Sequence, residues 1–362
     1  MRALITGGCG FIGSNFIRHV LNRIEDVEVV NVDLLTYAGN LANLADVEKT
    51  HPDRYRFIRG DIAEKDAVLS WFDDFEIDWV IHFAAESHVD RSILGPEVFL
   101  RTNILGTFNL LEACRRSWPS NEPETLFKRR FLHISTDEVF GSLPEYLYST
   151  EASPYDPSSP YSASKAASDH MVKAYFRTFG LPALITHSSN NYGPYQFPEK
   201  LIPLMIYNAL KGLDLPVYGD GRNVRDWIYV EDHCKALMAV LRRGRLGEDY
   251  NIGGQSEKEN IEVIYLICDY LDERVGLLPG GPRRNLIRFV TDRPGHDRRY
   301  ALDTAKISEE LGWNPSVSFE EGLRQTADWY CENQPWVEDI LDGTYMEYYR
   351  KQYGERLHGS QQ

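Results

Sequence analysis

Short runs rich in β-branched and apolar residues recur through the first half of the chain: RALIT (2–6), VEVVNVD (27–33), YRFI (55–58), DWVIHF (78–83), FLHIS (131–135) and PALITH (182–187). Helix-length periodic segments separate most of them. Nearly continuous apolar character marks strands covered on both faces, and alternation with helices marks βαβ units, so the pattern predicts an α/β architecture on a parallel sheet. After about residue 190 the texture changes to stretches such as NNYGPYQFPEKLIP and LPVYGDGRNVRDW, with helical runs near 200–211, 231–242 and 259–272. The change predicts a second, smaller α/β lobe. Its expected extent is 191–350 (discontinuous), with the first domain over 1–190, a return segment at 226–256, and a polar tail at 354–362 that frays.

The first turn sharpens this. LITGGCGFIGSNFI places Gly7, Gly10 and Gly13 between the first strand and the first helix. Gly7 and Gly10 allow a tight turn and close approach of the backbone to a pyrophosphate, and Gly13 lets helix and strand pack closely, so that the helix N-terminus faces the anion. Such turns are also used structurally, but the second strand then ends in Asp33, twenty positions past Gly13, where a carboxylate can accept from both hydroxyls of a ribose. Leu34, Leu35 and Thr36 follow it, and none offers a positive charge to a 2′-phosphate. NAD is therefore favoured over NADP, on a doubly wound sheet of Rossmann type. Two further strand ends agree: Asp61 and Ile62 stand where an adenine would lie, and the small Ala84 and Ala85 permit close approach to the middle of the cofactor.

Composition removes other classes. Lys plus Arg number 39 against 54 Asp plus Glu, a net charge of −15, so a nucleic-acid partner would be repelled. MRALITGG is already strand and turn without the marks of a secretory signal, and no run approaches the ~20 apolar residues of a membrane span. The five cysteines are scattered and form no CxxC pair, which argues against a disulfide framework and a zinc site. The expectation is a cytoplasmic protein that holds no metal.

In SPYSASKAASDH, Tyr161 and Lys165 are four apart at the start of a helix and so share one face. A tyrosine serving as a base near neutrality needs its pKa lowered by roughly 3 units, about 4 kcal/mol of preferential phenolate stabilisation. A lysine ammonium one turn away is one source of it. With the glycines, Asp33 and Thr136, this pair resembles the extended short-chain dehydrogenase/reductase family over nearly the whole chain. The resemblance implies that Tyr161 removes a proton from a sugar hydroxyl while hydride passes to NAD.

Past the strand FLHIS come a hydroxyl and two adjacent carboxylates, Thr136, Asp137 and Glu138. Epimerases of this family only oxidise and re-reduce C4 and have no use for such a pair. Loss of water across C5 and C6 does: a carboxylate removes the C5 proton, acidified by a C4 ketone, while a protonated carboxyl delivers a proton to the departing C6 hydroxyl. The two environments must then separate the two pKa values. STDEVFG resembles the TDE signature of the nucleotide-sugar 4,6-dehydratases, with Phe140 where that pattern usually has Tyr.

That resemblance implies dTDP-glucose as substrate, Asp137 as the acid at the C6 oxygen, Glu138 as the base at C5 and Thr136 bonded to the C4 oxygen. It implies contacts from Phe11, Ile12, Thr102 and Asn191 to the cofactor. Substrate contacts are implied for Ser87, Asn190, Leu201, Pro216, Tyr218 and Asn260. Lys200, Arg225, Arg293 and His296 offer the local cations that a diphosphate needs on an acidic protein, the two arginines being read as lying in constrained loops. His82, His88 and His133 are expected to be structural. The family likeness further implies a homodimer through residues 92–117 and 161–180. A uridine-sugar epimerase or decarboxylase, and a catalytically silent NAD-binding regulator, are the competing readings. The base stays open, since thymine and uracil differ by one methyl, worth only ~1–3 kcal/mol of discrimination.

Overall fold

The computed structural model describes residues 1–118, 128–292 and 295–341. The six apolar runs are strands β1 (Arg2–Thr6), β2 (Glu28–Asp33), β3 (Tyr55–Arg59), β4 (Trp79–His82), β5 (Arg130–Thr136) and β6 (Ala183–Ser188). The later strands are β7 (Asn190–Tyr192), β8 (Leu215–Tyr218), β9 (Val224–Tyr229), β10 (Asp249–Ile252), β11 (Glu257–Glu259) and β12 (Ile287–Val290). The main helices are α1 (Phe11–Arg23), α2 (Lys65–Asp74), α3 (Thr107–Ser117), α4 (Pro160–Phe179), α5 (Leu201–Lys211), α6 (Val230–Arg243), α7 (Asn260–Val275), α8 (Ala305–Leu311) and α9 (Phe319–Glu332).

Seven parallel strands form the large sheet in the order β10-β6-β5-β4-β1-β2-β3. Successive side chains of a strand point to opposite faces, and β1 shows the consequence: Ala3 and Ile5 join one apolar cluster, Leu4 the other. The first cluster takes Phe16 and Val20 of α1, Leu237 and Val240 of α6, and Ile307 and Leu311 of α8. The second takes Trp71 of α2, Leu110 of α3 and Val172 of α4. Helices therefore cover both faces. The strand order reverses between β1 and β4, and a crevice opens there at the carboxyl ends of the strands, where α/β sheets bind ligands.

A separate cluster, including Met205 and Ile206 of α5, Ile264 and Ile267 of α7 and Leu323 of α9, forms beside the sheets β11-β9-β7 and β12-β8. The 226–256 segment divides: α6 and β10 pack with the large sheet, whereas Asp226–Tyr229 belong to β9 in the three-stranded sheet. Residues 305–313 also lie against the first core, through Ile307, Leu311 and Trp313. The expected tail at 354–362 lies outside the described residues. Among the described residues no helix is long and apolar enough to cross a membrane.

Local sequence sets the helix that matters most. In α4, Ser159 caps the N-terminus: its Oγ accepts from the Ser162 N–H, while Ser162 Oγ accepts from the Ser159 N–H, both at 3.0 Å. Pro160 fills the first helical position and Gly180 ends the helix with φ 68°. Tyr161 and Lys165 consequently sit in the first turns, at the strand ends.

Candidate active site

Two clefts meet at these strand ends. The larger, about 1610 Å³, runs from the β1–α1 turn past Asp33, Asp61 and Ala84 to Thr136, Tyr161 and Lys165. The smaller, about 940 Å³, lies between β8, β9, α5 and α7. Glu138, Asn190, Glu199 and Lys200 line both and join them.

In the first cleft, Gly7 has φ 72°, and a Cβ there would lie 2.6 Å from the Ala84 nitrogen. A Cβ on Gly13 would lie 2.4 Å from the Gly7 carbonyl oxygen, which is the close helix–strand approach expected of that glycine. Gly10 is the N-cap of α1, and no side chain caps this helix. Its first-turn N–H groups therefore face the cleft without a protein side-chain cap. The Asp33 carboxylate is fixed by the N–H groups of Cys9 (2.9 Å) and Leu35 (2.8 Å). Burial pushes its pKa up and these two bonds push it down, with a net rise. Asp61 accepts from Arg101 at 3.0 Å and, through its other oxygen, from the Ala63 N–H. Phe11, Ile12, Ile62, Ala85, Ser87, Thr102 and Asn191 line the same cleft. The Asn191 Oδ1 lies 2.7 Å from His233 Nδ1.

The acid pair opens from β5 into a single 3₁₀ turn, Asp137–Phe140. Asp137 is buried, Thr136 Oγ1 donates to its Oδ1 at 3.3 Å, and its Oδ2 has no hydrogen-bond partner among the described residues. Burial, then the neighbouring Glu138, push its carboxyl well above the usual range, against a smaller opposing pull from Arg225. Of the pair, Asp137 is thereby the one biased toward its protonated form. Tyr161 goes the other way from the expected depression: burial, then Glu138, push its phenol up, and a hydrogen bond with Thr136 opposes them. Burial brings Lys165 down to about 8, with Asp169 pulling the other way.

In the second cleft lie Leu201, Pro216, Tyr218, Arg225, Asn260 and His296. Arg225 is on β9 and not in a loop. Its guanidinium donates to the carbonyls of Val224 (2.7 Å) and Asp297 (2.9 Å) and stacks 4.4 Å from the Tyr300 ring centre. Strand pairing from Lys258 and from residues 298–299 holds it in place. Lys200 Nζ donates to the Ser87 carbonyl at 3.1 Å, and His296 Nδ1 lies 2.6 Å from Asp292 Oδ1. Arg293 lies outside the described residues.

Sequence reasoning missed three side chains here. Glu199 is buried next to Arg91 (3.5 Å) and His88 (3.8 Å), and burial lifts it to about 7. Tyr300 hydrogen-bonds Asp297 and is pushed up by burial and by Glu138. His88, expected to be structural, also lines the second cleft. His82 and His133 are fully buried behind the strand ends. FPEKL contains Glu199 beside Lys200, but nothing local signals that it is buried; Tyr300 lies some 160 residues from Glu138.

The family described as GDP-mannose 4,6 dehydratase matches residues 4–326. A dTDP-glucose 4,6-dehydratase of Xanthomonas campestris pv. campestris (strain B100) is 54% identical over 342 residues, 94% of this chain and 96% of that protein. The solved structure of DesIV, the dTDP-glucose 4,6-dehydratase of Streptomyces venezuelae with NAD and TYD bound, is 47% identical with a TM-score of 0.85, covering 94% of this chain and 100% of that one. A Thermus thermophilus UDP-glucose 4-epimerase in complex with NAD is also similar, at 32% identity and a TM-score of 0.79, covering 92% of this chain and 100% of that one.

Proposed function

The chain belongs to the dTDP-glucose 4,6-dehydratase family, and from that premise we propose that it converts dTDP-glucose to the 4-keto-6-deoxy sugar nucleotide with NAD as a recycled cofactor. One observation carries the reading: Asp137 is buried beside Glu138 at the end of β5, where burial and the second carboxylate both push its carboxyl well up. An epimerase has no step that such an acid would serve.

The residues present fit NAD. A Cβ at Gly7 would fill the cradle, α1 leaves its first turn open to an anion, and Asp33 stands at the end of β2 where a ribose is recognised. When bound, NAD supplies the hydride chemistry, oxidising C4 and returning the same hydride to C6.

The chain's own residues handle the protons. Thr136 holds the C4 oxygen and Tyr161 takes the C4 hydroxyl proton. Burial and Glu138 both oppose a phenolate there, so the positive charge of Lys165, one turn along the same face of α4, is what this base role depends on. Glu138 removes the C5 proton, Asp137 protonates the C6 hydroxyl as it leaves as water, and Glu138, once its proton has exchanged with solvent, reprotonates C5. Lys200, Arg225, Asn190, Asn260 and His296 hold the diphosphate side, and Pro216 and Tyr218 line the base pocket. The 1–190 and 191–350 division, with α6, β10 and α8 returned to the large sheet, remains our description of the two lobes.

We propose a cytoplasmic homodimer. Ile93, Leu94, Val98, Leu100 and Leu105 are between 41 and 62% exposed, an apolar stripe within the 92–117 segment that a second copy would cover. All five cysteines are free thiols, as a reducing compartment keeps them. A monomer in light scattering at micromolar concentration would overturn the dimer.

The function is tested by incubating the purified protein with dTDP-glucose in deuterated water, without added NAD. The expected product is lighter by one water and carries deuterium at C5. Unchanged dTDP-glucose, even with NAD added, would remove the assignment, and UDP-, GDP- and CDP-glucose would then separate a wrong nucleotide from a wrong reaction.

A further inference from the structure

The helix that carries Tyr161 and Lys165 continues the same stripe with Asp169 and Lys173, each four residues on. Asp169 is completely buried, in a position where a lone carboxylate would be costly. It is not alone. Ser135 Oγ donates to its Oδ2 at 2.8 Å, the Tyr155 hydroxyl at 3.1 Å, and His187 Nε2 lies 3.2 Å away. Its Oδ1 is 3.3 Å from His133 Nε2. That same ring nitrogen is 3.2 Å from Lys165 Nζ, so that by tautomer it either donates toward Asp169 or accepts from Lys165, and Lys165 Nζ donates to the Ile134 carbonyl at 2.8 Å. His133, itself fully buried, is thus wedged between an ammonium and a carboxylate.

We propose that Asp169 is a positioning residue for the reaction: through the His133 wedge it supplies the buried negative charge that keeps Lys165 cationic, and so able to favour ionisation of Tyr161. This rests on the reading of Tyr161 and Lys165 given above and adds a residue to it.

The surroundings leave no other candidate for that charge among the described groups. On α4, Lys165 has Tyr161 on one side and Asp169 on the other. From β5 it meets His133 and a carbonyl; His82 of β4 stands behind, its ring centre 5.2 Å from that of His133. Both histidines are pushed down, His133 to about 4, by burial and by neighbouring cations or imidazoles, so neither adds charge near neutrality. Asp169 is lifted by burial, but the close approach of His133 and His187 more than reverses this and pushes its carboxyl well down. Lys173 lies further along the stripe, turned to Tyr155 (3.4 Å) and to Asp249 (2.5 Å).

The sign follows. Burial alone drives the lysine toward its neutral form, and Asp169 opposes this. Removing the carboxylate must therefore deprotonate Lys165 at lower pH. The test is the pH dependence of kcat on dTDP-glucose for wild type and Asp169→Asn. The alkaline limb is expected to move acidward by a unit or more, so that activity falls by at least about tenfold at pH ~8.5 but recovers to within about threefold of wild type near pH ~6. A loss by the same factor at every pH, or an unmoved limb, would overturn the proposal. Asp169→Glu should restore the wild-type limb, which a mere packing role would not require. If Asp169→Asn does not fold, His133→Asn carries the test, because Asp169 keeps Ser135, Tyr155 and His187: an acidward limb supports the wedge and an unmoved limb overturns it. Wild-type protein that fails to turn over dTDP-glucose would instead sink the functional reading itself, which separates the two failures.

Discussion

Asp137 and Asp169 lie at the two ends of one short stretch of structure, the first opening from β5 into the cleft, the second behind it on α4. Both are almost inaccessible to water. Yet the first is pushed well up and the second held well down. The difference is in what surrounds them. Asp137 receives one long hydrogen bond, from Thr136, and faces a second carboxylate, whereas Asp169 is ringed by a hydroxyl, a phenol and two imidazoles. Burial raises both; the donors decide which of them is ionised.

The largest test of this contrast is on activity. Asp137→Asn removes the acid but keeps the shape, and should lower turnover by ~10²–10⁴-fold, the usual worth of a general acid. Reduced nicotinamide should then accumulate, visible in the near-ultraviolet, because C4 oxidation precedes the step that needs Asp137. A variant that loses oxidation and dehydration together would break the assignment of separate roles.

Next in size are stabilities of opposite sign. Asp169→Asn leaves histidines and Lys165 without their buried counter-charge and should cost ~3–5 kcal/mol in denaturant unfolding at neutral pH. Asp137→Asn should instead raise the melting temperature there. The pH windows are distinct. Asp169, with its folded pKa depressed, contributes stability that is present above its unfolded pKa of ~3.9 and is lost as pH falls through the lower folded value. Asp137, with its folded pKa raised, imposes a penalty that grows as pH rises above ~3.9 until the folded value is reached, so the gap between Asp137→Asn and wild type should widen over that range. Parallel unfolding curves for the two variants would mean that burial alone governs both sites.

The smallest effects come from trimming donors. Ser135→Ala and Tyr155→Phe each remove one hydrogen bond to Asp169 and should each cost ~1–3 kcal/mol, with the site otherwise intact. Neither should change the protonation of Asp137.

Much of the molecule is legible in the chain. The β1–α1 turn, Asp33 at the end of β2, the reciprocal Ser159–Ser162 cap and the Tyr161/Lys165 spacing are short-range patterns, and each stands on the element its residues predict. The second cleft is less readable. Pro, Gly and Trp around Arg225 point to a constrained loop, but pairing with β7 and β11 makes that stretch a strand. Glu199 and Tyr300 carry no local mark, since their burial comes from elements far along the chain. The stretch SPYSASKAASDH contains Asp169 in plain view, but its spacing says only that it shares a face with Lys165.

The residues by themselves therefore determined the sheet, the dinucleotide turn, the helix that carries Tyr161 and the presence of two acids after β5. These follow from backbone sterics, side-chain period and capping, all of which act over a few residues. The upward pressure on Asp137, the opposing pressures on Tyr161 and Lys165, and the carboxylate behind them were decided only when β5, β6 and α4 came together. Charge states depend on desolvation and on donors a few ångströms away in space, and those distances exist only in the folded chain.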